Sequence, residues 1–344
     1  MQKFDAPPKI ISGTRVVEDA CNSFRFELFQ KPILVAVSGG LDSTVLGHCL
    51  SRLPGMVENM TLAHVNHHLR GNESEEDEAF VLELAQRLRV NVEFANVYPE
   101  VRRLRETGRL RSSSEEAARD CRHDALNEMA SAIGARLVFA HHANDQAETI
   151  LLRLLRGTSP DSLRGMTKMS KKGRILRPLL GVLKEDIEEY AVSNGLQWRE
   201  DSSNRDMRFT RNLLREKWLP DLANAFNPQL VRALGRFGDL QGSDREYFEV
   251  KVGEAYFELV RRSAFDGFVI DSIGFKELHD SLATRLVAKL FEEAGISREL
   301  TRVHVTRAIN FLRDGSRGKI VEFPLGWKME KKDRGICFRN ANEG

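Results

Sequence analysis

The sequence predicts an α/β fold built on a parallel sheet, followed by a smaller C-terminal α+β domain. From residue 31 onward, short apolar runs alternate with longer helical patterns, which is typical of a parallel sheet covered by helices. The runs are ILVAV, MTLAHV, NVEFANV and RLVFAHH, and the helical patterns that follow them cover residues 43–52, 74–90, 114–133 and 144–156. Ligands of such sheets bind beyond the carboxyl ends of the strands, so we expect the site there.

The second domain is predicted from a change of pattern after Pro220. Helical patterns over residues 221–262, 275–294 and 301–313 are followed by the short strand-like runs KIVEF, WKME and ICFR. A chain of 344 residues also exceeds what one hydrophobic core usually supports. We therefore expect domains at residues 1–219 and 220–344, joined near a helix over residues 207–218.

The composition is that of an ordinary globular protein, with 41% apolar and 30% charged residues. Cys21, Cys49, Cys121 and Cys337 form no C-x-x-C pair, which argues against a zinc site or a disulfide framework and favours the reducing cytoplasm. No apolar stretch approaches the roughly 20 residues that span a bilayer, so no membrane partner is expected. The oligomeric state stays open, with a homodimer as one candidate.

A glycine turn follows the first apolar run, in the order Ser38, Gly39, Gly40, Leu41, Asp42, Ser43. A strand that passes through glycines into a helix directs backbone N–H groups and the positive end of the helix dipole at one spot, which suits phosphates. A Walker A loop would carry lysine, whereas this turn carries Asp42, which could hold Mg²⁺. The alternative is an ordinary turn in which Asp42 caps the helix.

The SGGLDS turn resembles the signature of the N-type ATP pyrophosphatases, or PP-loop family. Together with AHVNHHLRGNESEEDEAFV, SSEEAARDCRHDAL, HHANDQAET and EDSSNRDMRFTRNLLRE, it resembles the tRNA(Ile)-lysidine synthase family. The resemblance implies an adenine nucleotide alpha hydrolase-like domain that uses ATP and Mg²⁺. It also implies adenylation of the wobble cytidine of tRNA(Ile) with a CAU anticodon, followed by ligation of free L-lysine.

The same resemblance implies roles for individual residues. Asp42, Arg119 and His141 are expected to be catalytic, and the main chain at His64 and Val65 is expected to meet adenine. The family pattern assigns lysine recognition to Asp145 and Glu148. Since His141, Asp145 and Glu148 are spaced i, i+4 and i+7, we expect them to lie along one face of a helix.

Basic residues are concentrated in two stretches that flank the predicted site. The first has eight basic residues against one acid, Asp161, and the second lies between residues 205 and 217. Two such stretches favour a track for a phosphate backbone over a merely solvated face. The predicted tRNA contacts are Arg153, Arg156, Arg205, Arg208 and Arg211.

Three other functions remain open from the sequence. A tRNA thiolase of the same class would need cysteines for sulfur transfer, and the four here are dispersed. An NAD-synthetase-like enzyme would not need the basic stretches. A non-catalytic tRNA-binding protein would not need an intact set of Asp42, Arg119, His141 and Glu148.

Overall fold

The computed structural model describes residues 12–68, 72–98, 114–170, 172–200, 207, 209–263, 267–332 and 335–340. It contains two compact units, Met1–Leu240 and Gln241–Gly344. Among the described residues, no helix combines the length and the apolar character needed to cross a membrane.

The first unit contains a parallel five-stranded sheet, which confirms the predicted α/β fold. The strands are β1 (Ile33–Ala36), β2 (Met60–Asn66), β3 (Asn91–Asn96), β4 (Arg136–Val138) and β5 (Ile175–Leu176), in the order β3-β2-β1-β4-β5. The helices are α1 (Gly13–Asn22), α2 (Arg25–Phe29), α3 (Leu41–Ser51), α4 (Asn72–Leu88), α5 (Ser114–Ala132), α6 (Ala143–Leu155) and α7 (Lys184–Ser193). They are followed by α8 (Thr210–Leu213), a π-helix (Leu214–Trp218), α9 (Leu219–Ala225) and α10 (Leu230–Leu259).

Strand β1 is buried on both faces of the sheet. Ile33 and Val35 pack into the core that α1, α3, α4 and α7 share, whereas Leu34 and Ala36 pack into the core below α5. Because successive side chains of a strand point to opposite faces, one apolar run of four residues supports both cores.

The carboxyl ends of β1 and β4 are neighbours, because these strands pair in parallel with Ile33 opposite Arg136 and Val35 opposite Val138. The glycine turn follows β1, and the two histidines His141 and His142 follow β4. The sheet therefore brings the turn and the start of α6 to one edge.

The helix predicted over residues 207–218 differs from the structure. It begins at Thr210, and Leu214–Trp218 is π-helical. Leu219 of α9 and Leu230 of α10 pack with Ala147 of α6, which explains why the chain up to Leu240 belongs to the first compact unit. The units thus divide within α10, and the domain boundary at residue 219 stays a prediction.

The second unit has an antiparallel sheet of β6 (Val260–Ser263), β7 (Gly267–Ile270), β8 (Ile320–Glu322), β9 (Trp327–Lys332) and β10 (Gly335–Asn340), in the order β6-β7-β10-β9-β8. Its helices are α11 (Ser272–Lys276), α12 (Asp280–Glu293) and α13 (Arg302–Asp314). The helical patterns over residues 221–262 and 275–294 are each divided between two helices, α9 and α10 for the first and α11 and α12 for the second. Strands β6 and β7 were not predicted, and most of β6 lies within the stretch 221–262 that the sequence pattern assigned to helix.

Candidate active site

The backbone conformation of the turn requires glycine at position 39. Gly39 adopts φ +87°, and a Cβ there would lie 3.3 Å from the ring of Phe80. Helix α3 starts directly after Gly40, which provides no side-chain cap. The first-turn amide groups of a helix have no partner within the helix, so the turn presents N–H donors where an anion could bind.

The two serines of the turn have different environments. Ser43 Oγ accepts a hydrogen bond from Ser38 N at 3.2 Å and donates one to Gly40 O at 3.1 Å. Ser43 is buried, whereas Ser38 is exposed. Ser43 therefore stabilises the turn, and Ser38 is the hydroxyl that a ligand can reach.

Asp42 has a side chain that is 37% exposed, with one buried oxygen, Oδ1, that has no hydrogen-bond partner among the described residues. Its Oδ2 lies 3.6 Å from Nε2 of His142. Burial raises the pKa of Asp42 above its usual value, and the Asp145 carboxylate raises it further, against the effect of His142. Asp42 is therefore suited to a cation that would compensate its buried charge.

His141 lies before α6 and not on it, so the predicted helical face of His141, Asp145 and Glu148 was wrong. Helix α6 begins at Ala143, one residue earlier than predicted, and His142 is its N-cap. His141 instead packs on Phe139, with ring centroids 5.6 Å apart, and its buried Nδ1 has no partner among the described residues.

His141 is a neutral imidazole at physiological pH. Burial lowers its pKa to about 3, and although Asp145 opposes this shift, Arg177, Arg211 and Arg119 add to it. A neutral ring with an unpaired Nδ1 can accept or donate one hydrogen bond to a ligand.

Asp145 and Glu148 are already paired with two arginines. Glu148 is fully buried and accepts hydrogen bonds from Arg211 Nε at 2.6 Å and Arg215 Nε at 2.5 Å. Asp145 Oδ1 accepts from Nη2 of Arg215 at 2.8 Å and of Arg211 at 3.3 Å. These arginines and His142 lower the pKa of Asp145, against the effect of burial. Arg211, which we predicted as a tRNA contact, therefore lies in this ion cluster.

A cavity of about 690 Å³ opens at this edge of the sheet. Its lining includes the turn residues Ser38, Gly40, Leu41, Asp42 and Ser43, together with His141, His142, Asp145 and Arg215. The lining also includes Lys184, Glu188, Val192, Trp198 and Arg199. The structure thus brings the turn and one of the two predicted lysine-binding carboxylates to one cavity.

The predicted adenine contacts lie beside this cavity but do not line it. His64 and Val65 are buried at the carboxyl end of β2, and His64 Nδ1 lies 2.9 Å from Val37 O. Arg119 does not line the cavity either, whereas Arg122 does. Burial and Arg119 lower the pKa of Arg122, so its positive charge is held in a partly desolvated position.

The predicted tRNA contacts differ in their exposure and in their hydrogen-bond partners. Arg153 Nη1 donates to the carbonyls of Ser162 at 2.6 Å and Gly165 at 2.9 Å, so it braces the loop after α6. Arg156 is exposed. Arg205 and Arg208 lie outside the described residues.

Sequence reasoning missed His142 and Arg199. The signal for His142 was its position before the helix, three residues ahead of Asp145, which is the spacing of a capping box. Arg199 donates its backbone N–H to Gly39 O at 2.9 Å, and its guanidinium pairs with Asp77 at 2.6 Å and Glu76 at 2.7 Å. Its segment therefore fastens the turn to α4, a contact between distant parts of the chain that no local pattern predicts.

Comparison with known proteins shows which proteins this chain resembles. The family model described as PP-loop domain matches residues 14–222. Proteins named tRNA(Ile)-lysidine synthase are similar over much of the chain: 30% identity for Bacillus subtilis (94% of this chain, 68% of that protein) and 30% for Clostridium tetani (85% and 62%). The protein of that name from Geobacter sulfurreducens is 40% identical over 65% of this chain and 46% of its own length. The chain thus spans between about half and two thirds of these relatives.

One solved structure supports the fold. The U34-tRNA thiolase from Methanococcus maripaludis, with its [4Fe-4S] cluster, superimposes with a TM-score of 0.54 and 15% identity, over 67% of this chain and 79% of that chain. At that identity the likeness concerns the fold alone.

Proposed function

The chain belongs to the PP-loop family and, within it, to the tRNA(Ile)-lysidine synthases, and we propose from this premise that it ligates L-lysine to tRNA(Ile) with a CAU anticodon. In the proposed reaction the C2 carbonyl oxygen of the wobble cytidine attacks the α-phosphate of ATP, and pyrophosphate leaves. The ε-amine of lysine then attacks C2, and AMP departs with the former carbonyl oxygen. The product, lysidine, pairs with A, so the tRNA reads AUA instead of AUG.

One observation supports this proposal most: a glycine turn without lysine shares a cavity with the carboxylate of Asp145. The turn of Ser38–Ser43 has the N–H donors for a pyrophosphate but lacks the lysine that serves β and γ phosphates in Walker loops. Asp145 lines the same cavity and could bind an ammonium group.

A Mg²⁺ ion fits beside Asp42. The buried Oδ1 of Asp42 has no partner among the described residues, and carboxylate oxygens are the ligands that Mg²⁺ prefers. When bound, the ion would neutralise the charge that develops on the departing pyrophosphate. Asp42 would be its protein ligand.

The chain's own residues would orient the substrates. The amide groups at the start of α3 would hold the phosphates, and Arg122 would add positive charge from the cavity wall. His141, which is neutral, would accept or donate a hydrogen bond at Nδ1. We retain from the family pattern the proposal that Arg119 is catalytic and stabilises negative charge on the ATP phosphates or the adenylated intermediate.

Lysine recognition would involve the two carboxylates unequally. Asp145 lines the cavity, whereas Glu148 has no exposed surface. We therefore propose that the lysine ammonium contacts Asp145, and that Glu148 mainly holds Arg211 and Arg215 in place. Of the predicted tRNA contacts, the exposed Arg156 is the best placed in the described chain for a phosphate backbone. The cytoplasm, where tRNA is modified, is the proposed location.

The test follows pyrophosphate release from ATP in the presence of purified tRNA(Ile), with either lysine or a sulfur donor. We expect release that requires the tRNA, and isotope from lysine that enters the RNA. Release that is indifferent to tRNA, or sulfur that enters the RNA in place of lysine, would contradict the proposal and favour an NAD-synthetase-like enzyme or a thiolase.

A further inference from the structure

His142 lies between carboxylates from two different helices. Its Nε2 is 3.6 Å from Oδ2 of Asp42, in the first turn of α3, and 3.5 Å from Oδ2 of Asp145, on α6. The side chain is 3% exposed. Nε2 of His142 therefore contacts both Asp42 of the nucleotide turn and Asp145 of α6.

The hydrogen-bond network determines which ring nitrogen carries the hydrogen. Nδ1 of His142 accepts a hydrogen bond from the backbone N–H of Asn144 at 3.2 Å, as the N-cap of α6. Nδ1 is thus engaged with the backbone of α6, and Nε2 is the ring nitrogen whose hydrogen faces Asp42 and Asp145.

The single Nε2 hydrogen cannot form a short bond with both carboxylates. At 3.5 and 3.6 Å, Nε2 lies beyond ordinary hydrogen-bond distance from both carboxylates, so its contacts with Asp42 and Asp145 are electrostatic and neither is yet a hydrogen bond. If one carboxylate is drawn to a bound cation, the hydrogen becomes available to the other. Arg211 and Arg215 engage Oδ1 of Asp145, so Oδ2 is the oxygen through which His142 acts, at Nε2 and at its own backbone N–H 3.1 Å away.

We propose that His142 is a positioning residue that sets the separation of Asp42 and Asp145 and links occupancy of the nucleotide turn to binding of the amine substrate. The identity of that amine rests on the proposed function. The effect of His142 on the nucleotide turn does not, because Asp42 belongs to the PP-loop turn itself.

Asparagine separates the two roles of this side chain. Asparagine is a strong N-cap, so His142→Asn keeps an acceptor for the Asn144 N–H while it removes the hydrogen at Nε2. The chain also offers a matched control, His279, which caps α12 through the same atom and accepts from Ser281 N at 3.2 Å. His279 is exposed and lies in the second unit.

The experiment measures three quantities for wild type, His142→Asn, His142→Ala and His279→Asn. These are the Kd for Mg·ATP by calorimetry, the KM for lysine and the melting temperature. For His142→Asn we expect both the Kd and the KM to rise about 10-fold or more, since residues that orient ligating side chains typically have effects of this size. We expect a melting temperature close to wild type. His279→Asn should match wild type in all three.

Two results would overturn the inference. One is a His142→Asn protein with wild-type Kd and KM. The other is a His142→Asn protein that loses as much thermal stability as His142→Ala, because the ring would then act only as a cap. Failure of the proposed function would look different: wild type would make no lysidine, while His142→Asn would still weaken Mg·ATP binding.

Discussion

Arg215 Nε lies 2.5 Å from Oε1 of Glu148, a carboxylate with no exposed surface. Arg211 pairs with the other oxygen at 2.6 Å, so two guanidinium groups neutralise one buried carboxylate. Sequence motifs alone had assigned Glu148 to a substrate and Arg211 to tRNA. The geometry gives both residues a role in holding the site together, which can be measured without any substrate.

We predict that Glu148→Gln lowers the free energy of unfolding by about 2 kcal/mol, because two partly buried arginines lose a charged partner. Urea denaturation measures this loss. The control is Glu188→Gln at the cavity wall, where the ion pair with Lys184 spans 3.9 Å at a half-exposed side chain. It should change stability by less than about 0.5 kcal/mol. Equal effects of the two variants would show that the cluster is not structural.

Gly39→Ala tests the conformation of the turn. A residue with a side chain at φ +87° costs about 1 to 2 kcal/mol, and its Cβ would crowd Phe80 at 3.3 Å. We expect weaker ATP binding as well as lower stability. Gly134→Ala is the matched control, since Gly134 has φ +64° and a Cβ there meets no described atom within 4 Å. It should lose stability but bind ATP normally, and ATP binding that is equally weak in both variants would refute a specific role of the turn.

Asp42→Asn is expected to abolish tRNA-dependent pyrophosphate release and leave the fold intact. The buried Oδ1 of Asp42 has no partner among the described residues, so asparagine at this position breaks no hydrogen bond of that oxygen. Pyrophosphate assays and far-UV circular dichroism measure the two effects. An unfolded variant would instead show that Asp42 stabilises the turn, and it would contradict a role in the reaction alone.

Arg153→Ala and Arg156→Ala should affect different properties, the first the stability of the protein and the second its binding of tRNA. Loss of the two hydrogen bonds from Arg153 to the loop should lower stability by about 2 kcal/mol. Loss of the exposed Arg156 should leave stability unchanged and weaken tRNA binding, with a salt-dependence slope smaller by about one. Urea denaturation and salt titrations of tRNA binding measure the two effects. A stable Arg153→Ala protein with weak tRNA binding, or an unstable Arg156→Ala protein, would contradict the prediction.

His141→Gln tests the buried imidazole through the pH dependence of stability. Between pH 6.5 and about 3 the unfolded state protonates this histidine and the folded state does not, so wild-type stability must rise with pH across that window. The contribution of one such group is at most about 1.4 kcal/mol per pH unit. Urea denaturation at pH 4.5 and 7 should show a smaller rise for the variant. An unchanged slope would mean that His141 titrates normally.

The alternation of strands and helices could be predicted because it depends on periodic burial, and β1 is buried throughout as ILVAV suggests. The position of the turn could also be predicted from its glycines, since Gly39 adopts a backbone conformation that other residues rarely adopt. The roles of His141 and His142 could not be separated, because a shift of one residue in the helix start decides which of them is the cap.

Charge patterns predicted the basic stretches but not the role of each arginine. Arg153 and Arg156 look alike in the sequence, yet only the structure shows carbonyls within reach of Arg153. The pairing of Arg215 with Glu148 joins residues 67 positions apart, which depends on how α6 packs against the π-helix. Such long-range pairing leaves no local signal.

Nucleoside analysis of tRNA(Ile) is the most direct test of the proposed function. The purified chain is incubated with ATP, Mg²⁺, lysine and unmodified tRNA(Ile) that has a CAU anticodon, and the tRNA is then digested for mass spectrometry. The proposal predicts that the wobble cytidine gains the mass of lysine less one water, and that Asp42→Asn makes none of this product. An unmodified wobble cytidine, or one that has gained sulfur, would contradict it.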